Sequence, residues 1–147
     1  MREDKHGMTI RIGAEEMAGF LDEVFPQVKG MFGIDRLDAE LLVMRLFADE
    51  RHLRPGGTVS GPAMFGLADV AAYVATMARI GKEALAVTTN CSIDFMRKPV
   101  SGADVLAECR VLKLGRALSV CDVLLYSEGM AEPVARASLT YSLPPAR

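Results

Sequence analysis

At 147 residues, 50% hydrophobic and 24% charged, the chain has ordinary globular composition, enough for one domain with a buried core and no signature of disorder. A formal net charge of −2 without a wide basic patch leaves no footprint for nucleic acid and does not favour a membrane surface. Cys91, Cys109 and Cys121 are odd in number and far apart, which argues against a disulfide framework or a zinc knuckle and suits small core residues of a reduced, cytoplasmic protein.

Residues 1–12 are polar and mixed, a loose start, and Met1 to Met8 are too polar for a signal peptide. From Ala14 onward, Met17, Phe20, Leu21, Val24, Phe25 and Val28 recur at spacings of three and four. That spacing predicts an amphipathic helix over about 14–28, with Glu15 and Glu16 in a first turn where the dipole favours them. Pro26 ends or bends it, and Gly30 and Gly33 lie beyond. Arg36 to Arg51 leans to helix by propensity, although the continuous run Leu41-Leu42-Val43-Met44 also suits a strand covered on both faces. His52 closes the charged run Asp49-Glu50-Arg51-His52 and is expected on a solvated surface. Arg54-Pro55-Gly56-Gly57-Thr58 reads as a turn or loop.

The next stretch, about 61–80, is apolar all round and is predicted as a helix buried on most sides. Ser60 suits its N-cap, Pro62 its first turn and Gly81 the residue past its end. It approaches the ~20 residues that cross a membrane. Asp69 and Arg79 interrupt it and no second such segment follows, so a sheet wrapped around one helix is the better reading. Ala86 to Phe95, Val105 to Leu112, Ala117 to Tyr126 and Val134 to Leu143 read as strands, separated by turns at 97–102, 114–116 and 127–129. In the last run Arg136, Ser138 and Thr140 alternate with Ala135, Ala137, Leu139 and Tyr141, giving one wet and one buried face. Short turns between successive strands predict an antiparallel meander, and the class is α+β in a single domain.

Several chemistries lack their residues. Gly57-Thr58-Val59-Ser60-Gly61 has the wrong spacing for a nucleophile elbow, and Gly81-Lys82 lacks the upstream glycine of a phosphate loop. His6 and His52, the only histidines, have no partners at zinc-ligand spacing, so no metal is expected. Asp69 is the feature that stands out. A carboxylate on a buried helix is costly unless paired, hydrogen-bonded or solvated in a cleft. Two readings stay open: a residue facing solvent or bridging to backbone, or an acid/base or nucleophilic carboxylate at a pocket mouth. Gly61 lies eight residues before it, about two helical turns, where N–H groups of the helix start could face a carbonyl oxygen.

These residues resemble the hotdog-fold acyl-CoA thioesterases of the phenylacetate-pathway (PaaI-like) type. That family's pattern runs Asn-x-x-Gly-x-x-His-Gly-Gly and then Leu-Ala-Asp. The matching positions here are Arg54, Gly57, Ser60-Gly61-Pro62 and Leu67-Ala68-Asp69-Val70-Ala71. Thr88 to Phe95, Arg97-Lys98-Pro99, Gly102, Gly115-Arg116 and Val134 to Tyr141 follow in the family's order, so the likeness spans about 37–143. The resemblance implies a hotdog fold and makes residues near 38–48 its first strand, against local propensity.

It implies hydrolysis of an acyl-CoA to free acid and CoA, with CoA part of the substrate and no cofactor. Asp69 would activate water or attack the thioester carbonyl, the Gly61 N–H would polarise the carbonyl oxygen, and Thr88 would help hold the attacking water. Arg97 and Lys98 would lie along the CoA phosphates or pantetheine, or form an ordinary basic turn. Met64, Phe65 and Tyr73 would line an acyl pocket or serve as core. The family implies homodimers or homotetramers with sites shared between subunits. Three departures stand out: Arg54 replaces the family Asn, Ser60 the His and Pro62 the second Gly. Ser60 suits an N-cap or a contact to the substrate carbonyl, and Arg54 a negatively charged group or solvent. The competing reading is an acyl-CoA-binding hotdog protein without catalysis. A hotdog hydratase fits poorly, because no histidine lies in the central helix or its entrance.

Overall fold

The computed structural model describes residues 9–145, so the reading of Met1 to Met8 and of His6 falls outside the described residues. Residues 9–12 are docked rather than loose. The Arg11 and Ile12 N–H groups both donate to the Ala78 carbonyl, and Ile12 is buried. Helix α1, Ala14–Val24, buries Met17, Phe20 and Leu21 and carries Glu15 and Glu16 in its first turn. It is shorter than the 14–28 periodicity suggested. Pro26 lacks the N–H that would continue it, and the chain tightens into a 3-10 turn, Pro26–Val28.

Strand β1, Phe32–Leu37, has no counterpart in the sequence reading, and it pairs antiparallel with β2, Leu42–Leu46. The helical leaning of 36–51 is therefore overturned, and the strand expected first in the sheet is the second. Along β2, Leu42, Met44 and Leu46 are fully buried while Val43 and Arg45 point outward. Arg45 meets Asp35 at 2.9 Å, Asp104 at 2.8 Å and Glu128 at 2.7 Å. Burial on one face and pairing on both edges outweigh a propensity difference of a few tenths of a kcal/mol per residue. The Asp38 side chain turns the hairpin by accepting the N–H groups of Glu40 and Leu41.

His52 is buried rather than solvated. In the 3-10 turn Glu50–His52 its Nδ1 accepts the Asp49 N–H at 3.1 Å, while the Asp49 carboxylate accepts the Arg51 N–H. The His52 carbonyl then accepts the Ser60 N–H, fixing the entry to the next helix.

Helix α2, Gly61–Ile80, matches its predicted bounds. The Ser60 Oγ accepts the Ala63 N–H at 3.2 Å, and Gly81 closes the end at φ 105°, its N–H on the Met77 carbonyl. Ser60→Ala is expected to cost about 1 kcal/mol, read as a lower midpoint in denaturant unfolding. Although long and apolar enough to cross a membrane, α2 has 72% of its most apolar window buried in the fold. Arg79, also buried, donates to the Ala75 and Ala39 carbonyls and so ties the helix end to the β1–β2 turn.

Strands β3 (Val87–Phe95), β4 (Val105–Leu114), β5 (Leu118–Ser127) and β6 (Ala135–Ser142) complete one six-stranded antiparallel sheet. Its order is β1-β2-β4-β5-β6-β3, and α2 packs against β2 to β6. Only β4–β5–β6 is the predicted meander. Because β2 and β5 fill both edges of β4, β3 crosses to the far side and pairs with β6. A sheet curled around one long helix is the hotdog architecture. Of the cysteines, Cys109 and Cys121 are buried and Cys91 is partly buried.

Candidate active site

Asp69 lies at the middle of α2, half-buried, with its side chain toward the β3–β6 pair. Its Oδ1 accepts two hydroxyls, Thr88 Oγ1 at 2.5 Å and Tyr141 OH at 2.8 Å. The Tyr141 OH is also 2.9 Å from the Asp69 carbonyl oxygen. Among the described residues no donor reaches Oδ2. The carboxylate is thus anchored through one oxygen and presents the other to an adjacent cavity.

A register irregularity makes this possible. Thr88 pairs with Tyr141, but Asn90 pairs with Thr140, so Thr89 is an extra residue in β3. Beyond it, Cys91 and Ile93 pair with the inward residues Leu139 and Ala137. Strict alternation would put Thr88 on the opposite face from Cys91 and Ile93. The bulge reverses the parity and turns the Thr88 hydroxyl toward α2. Thr89 instead donates to the Thr140 carbonyl.

Burial, and then the Asp69 charge, push the Tyr141 phenol well above its ordinary range, so it remains a donor at neutral pH. The same two causes raise the Cys91 thiol and keep it from acting as a thiolate. The cavity at Oδ2 has a volume of about 440 Å³. Tyr73, one turn past Asp69, lines it with its ring stacked on Tyr141, centroids 6.0 Å apart, and its hydroxyl donates to the Ala84 carbonyl at 2.8 Å.

The other predicted residues gather elsewhere. Gly61, Arg54, Met64, Arg97 and Lys98 line a second cavity of about 380 Å³ at the N-terminal end of α2. A Cβ on Gly61 would come within 3.3 Å of the Phe95 ring, so helix start and strand end approach closely there. Arg97 is held by Glu132 at 3.0 Å and by the Pro133 carbonyl. Arg54 and Lys98 have no ion-pair partner among the described residues. Ser60 gives its oxygen to the helix cap, Pro62 is exposed beside it, and Phe65 is 40% exposed and lines neither cavity. The sequence reading brings Gly61 and Asp69 to one carbonyl in a site shared between subunits. Within one chain they are separated by about 12 Å of helix axis and open into different cavities.

Tyr141 was legible only as an inward residue of the last strand, although a buried tyrosine needs a partner for its hydroxyl. Val24 and Phe25, which also line the Asp69 cavity, carried no signal beyond the helical period.

A family model described as the thioesterase superfamily matches residues 56–134, which include α2, Asp69, Thr88 and three of the six strands, β3 to β5. The chain belongs to the thioesterase superfamily. A crystal structure of a candidate thioesterase from Silicibacter sp. TM1040 is 58% identical over 95% of this chain and 96% of that one, with a TM-score of 0.89. A mutant of the phenylacetic acid degradation protein PaaI from Thermus thermophilus is 26% identical, with a TM-score of 0.68 over 81% of this chain and 99% of that one. Zebrafish thioesterase superfamily member 2 shares the fold at 22% identity, with a TM-score of 0.79 over 90% of this chain and 99% of that one. A comparison with curated proteins finds no match. Membership of the thioesterase superfamily supports thioester hydrolysis in general, and Asp69 sits within the family-matched segment.

Proposed function

We propose that this protein hydrolyses an acyl-CoA thioester to the free acid and CoA, with Asp69 as the reacting carboxylate. The observation that carries the reading is the carboxylate itself, held through Oδ1 by Thr88 and Tyr141 and lining a cavity of mixed polar and apolar walls. Asp69 either removes a proton from water as it adds to the carbonyl carbon or attacks that carbon itself. In both routes the C–S bond breaks, and the CoA sulfur leaves as a thiolate that takes up a proton. Thr88 adds a hydroxyl beside the position of an attacking water.

The oxyanion donor in this reading is the Gly61 N–H of a second copy of the chain. The first N–H groups of a helix have no intrahelical acceptor and carry its positive dipole end. In the same chain that group is too far along the helix to reach a carbonyl within ~3 Å of Asp69. A homodimer that apposes the two cavities, or a homotetramer built from such dimers, supplies both groups. Edge strand β3, with Val87 56% and Phe95 52% exposed, offers a surface for such an association. Arg54 and Lys98, without ion-pair partners among the described residues, suit the CoA phosphates, and Arg97 supports that rim through Glu132. A reduced cytoplasmic setting belongs to the same reading.

The direct test is release of free thiol from a panel of acyl-CoAs, with Asp69→Asn as the control. Binding without turnover is the second reading, favoured by Ser60, whose oxygen is engaged in the helix cap where the family pattern has a histidine. Tyr141 acts in the first reading as a positioning residue. Tyr141→Phe is expected to lower kcat about 10-fold, near the ~1.5 kcal/mol lower end for a hydrogen bond to a charged group, with KM little changed. An equal loss through KM would move Tyr141 from the carboxylate to the acyl pocket.

A further inference from the structure

The cavity at Asp69 runs along α2 to Tyr73 and the segment 84–87, and it is bordered in part by residues that the family match does not include. Val24, the last residue of α1, and Phe25, the residue after it, both line it, whereas the family model begins at residue 56. Their placement is encoded locally. Pro26 stops α1, and a residue before proline is pushed away from helical backbone; Phe25 sits at φ −133°, ψ 60°. The 3-10 turn then holds the bend, with the Val28 N–H on the Phe25 carbonyl. On its other side α1 is anchored by Met17, Phe20 and Leu21 and by the Lys82–Glu16 pair at 3.1 Å. Val24 and Phe25 are thus fixed rather than trailing.

The side-chain hydroxyl donors of this cavity are already committed. The Thr88 and Tyr141 hydroxyls point to Asp69, and the Tyr73 hydroxyl donates to the Ala84 carbonyl. Among the described residues no lysine, arginine or histidine lines it. A carboxylate on an acyl chain would lose its water here and find no free side-chain donor, and a hydroxyl would find only the reacting oxygen of Asp69 as an unpartnered side-chain acceptor.

We infer that Val24 and Phe25 form the α1-side wall of the acyl pocket and that the pocket takes an unsubstituted apolar acyl group, alkyl or aryl, in preference to hydroxylated or carboxylated ones. This rests on the acyl-CoA reading above and assigns its specificity to an element outside the family-matched segment. The cavity of about 440 Å³ is this chain's share of a site that the second copy completes, and Val24 and Phe25 bound it on the α1 side.

The test uses two measurements on the full-length wild type, Phe25→Ala and Val24→Phe. One is kcat/KM across acyl-CoAs from acetyl to palmitoyl, with phenylacetyl-, 3-hydroxyoctanoyl- and succinyl-CoA. The other is calorimetric binding of the corresponding S-alkyl-CoA thioethers, which cannot be hydrolysed. Phe25→Ala is expected to move the preferred length upward, changing the long-to-short ratio about 10-fold or more, and Val24→Phe to move it downward. The thioether affinities should shift in the same senses. Hydroxyoctanoyl- and succinyl-CoA should remain at least ~10-fold poorer than octanoyl-CoA in all three proteins. Turnover with length ratios unmoved in both variants overturns the wall while leaving the hydrolase reading intact. A moved length dependence in thioether binding with no turnover of any acyl-CoA supports the wall and sinks the hydrolase reading. If neither turnover nor thioether binding occurs, both fall.

Discussion

Asp69→Asn is expected to lower CoA release at least ~100-fold in a protein that still folds, the scale for losing a positioned acid/base group. The substitution suits the question because asparagine keeps the shape and one carbonyl oxygen. That oxygen can still accept from Thr88 and Tyr141, as Asp69 Oδ1 does at 2.5 and 2.8 Å. What changes is the second position, where an amide NH₂ replaces the oxygen facing the cavity, leaving neither a base nor a nucleophile. Thermal unfolding should shift little, since Asp69 is only half-buried and forms no ion pair among the described residues. Thiol release by wild type and variant, with circular dichroism on both, separates the cases. Undiminished turnover in a folded variant would remove Asp69 from the chemistry. Loss of fold would show instead that the hydroxyl anchors require the charge.

Leu67→Ala is expected to lower unfolding free energy by about 2–5 kcal/mol and the melting temperature by on the order of 10 °C. Leu67 is fully buried on α2 amid the sheet. Alanine is the better helix former, so helix propensity opposes the loss and the deficit reports the lost burial of the removed atoms together with the cavity left behind. Phe65→Ala on the same helix, at a side chain 40% exposed, is the internal comparison and should cost distinctly less. Denaturant unfolding of the two variants decides it. A Leu67→Ala cost below ~1 kcal/mol would mean that the surroundings collapse into the vacated space, and that α2 is less tightly held than its burial indicates.

The elements that the sequence specified are those governed by contacts within one turn or one strand. The serine cap, the apolar run and the closing glycine set α2 to the residue, because capping and propensity act over three or four positions. Alternation along 134–143 gave the inward face of β6, since successive side chains of a strand point opposite ways. The single carboxylate in α2 marked the candidate site. Its family context was legible in the order of short motifs rather than in any one of them.

What remained closed to the sequence depends on partners distant in the chain. Strand β2 is too short for alternation to outweigh helical composition, and pairing with β1 and β4 decides it. His52 lies in a charged run, yet it is buried by a hydrogen bond that only the folded turn provides. Thr88 and Tyr141 converge on Asp69 because a one-residue bulge and the β3–β6 register bring them there, and register is set by long-range hydrogen bonds. The family motif was read as one site shared between subunits, and within one chain its residues divide between two cavities, since a helix separates positions eight apart by about 12 Å. Sequence determined which groups this protein carries and which face of each element presents them. Tertiary structure decided which of them meet, because strand register and crossover order are fixed by contacts that local periodicity does not encode.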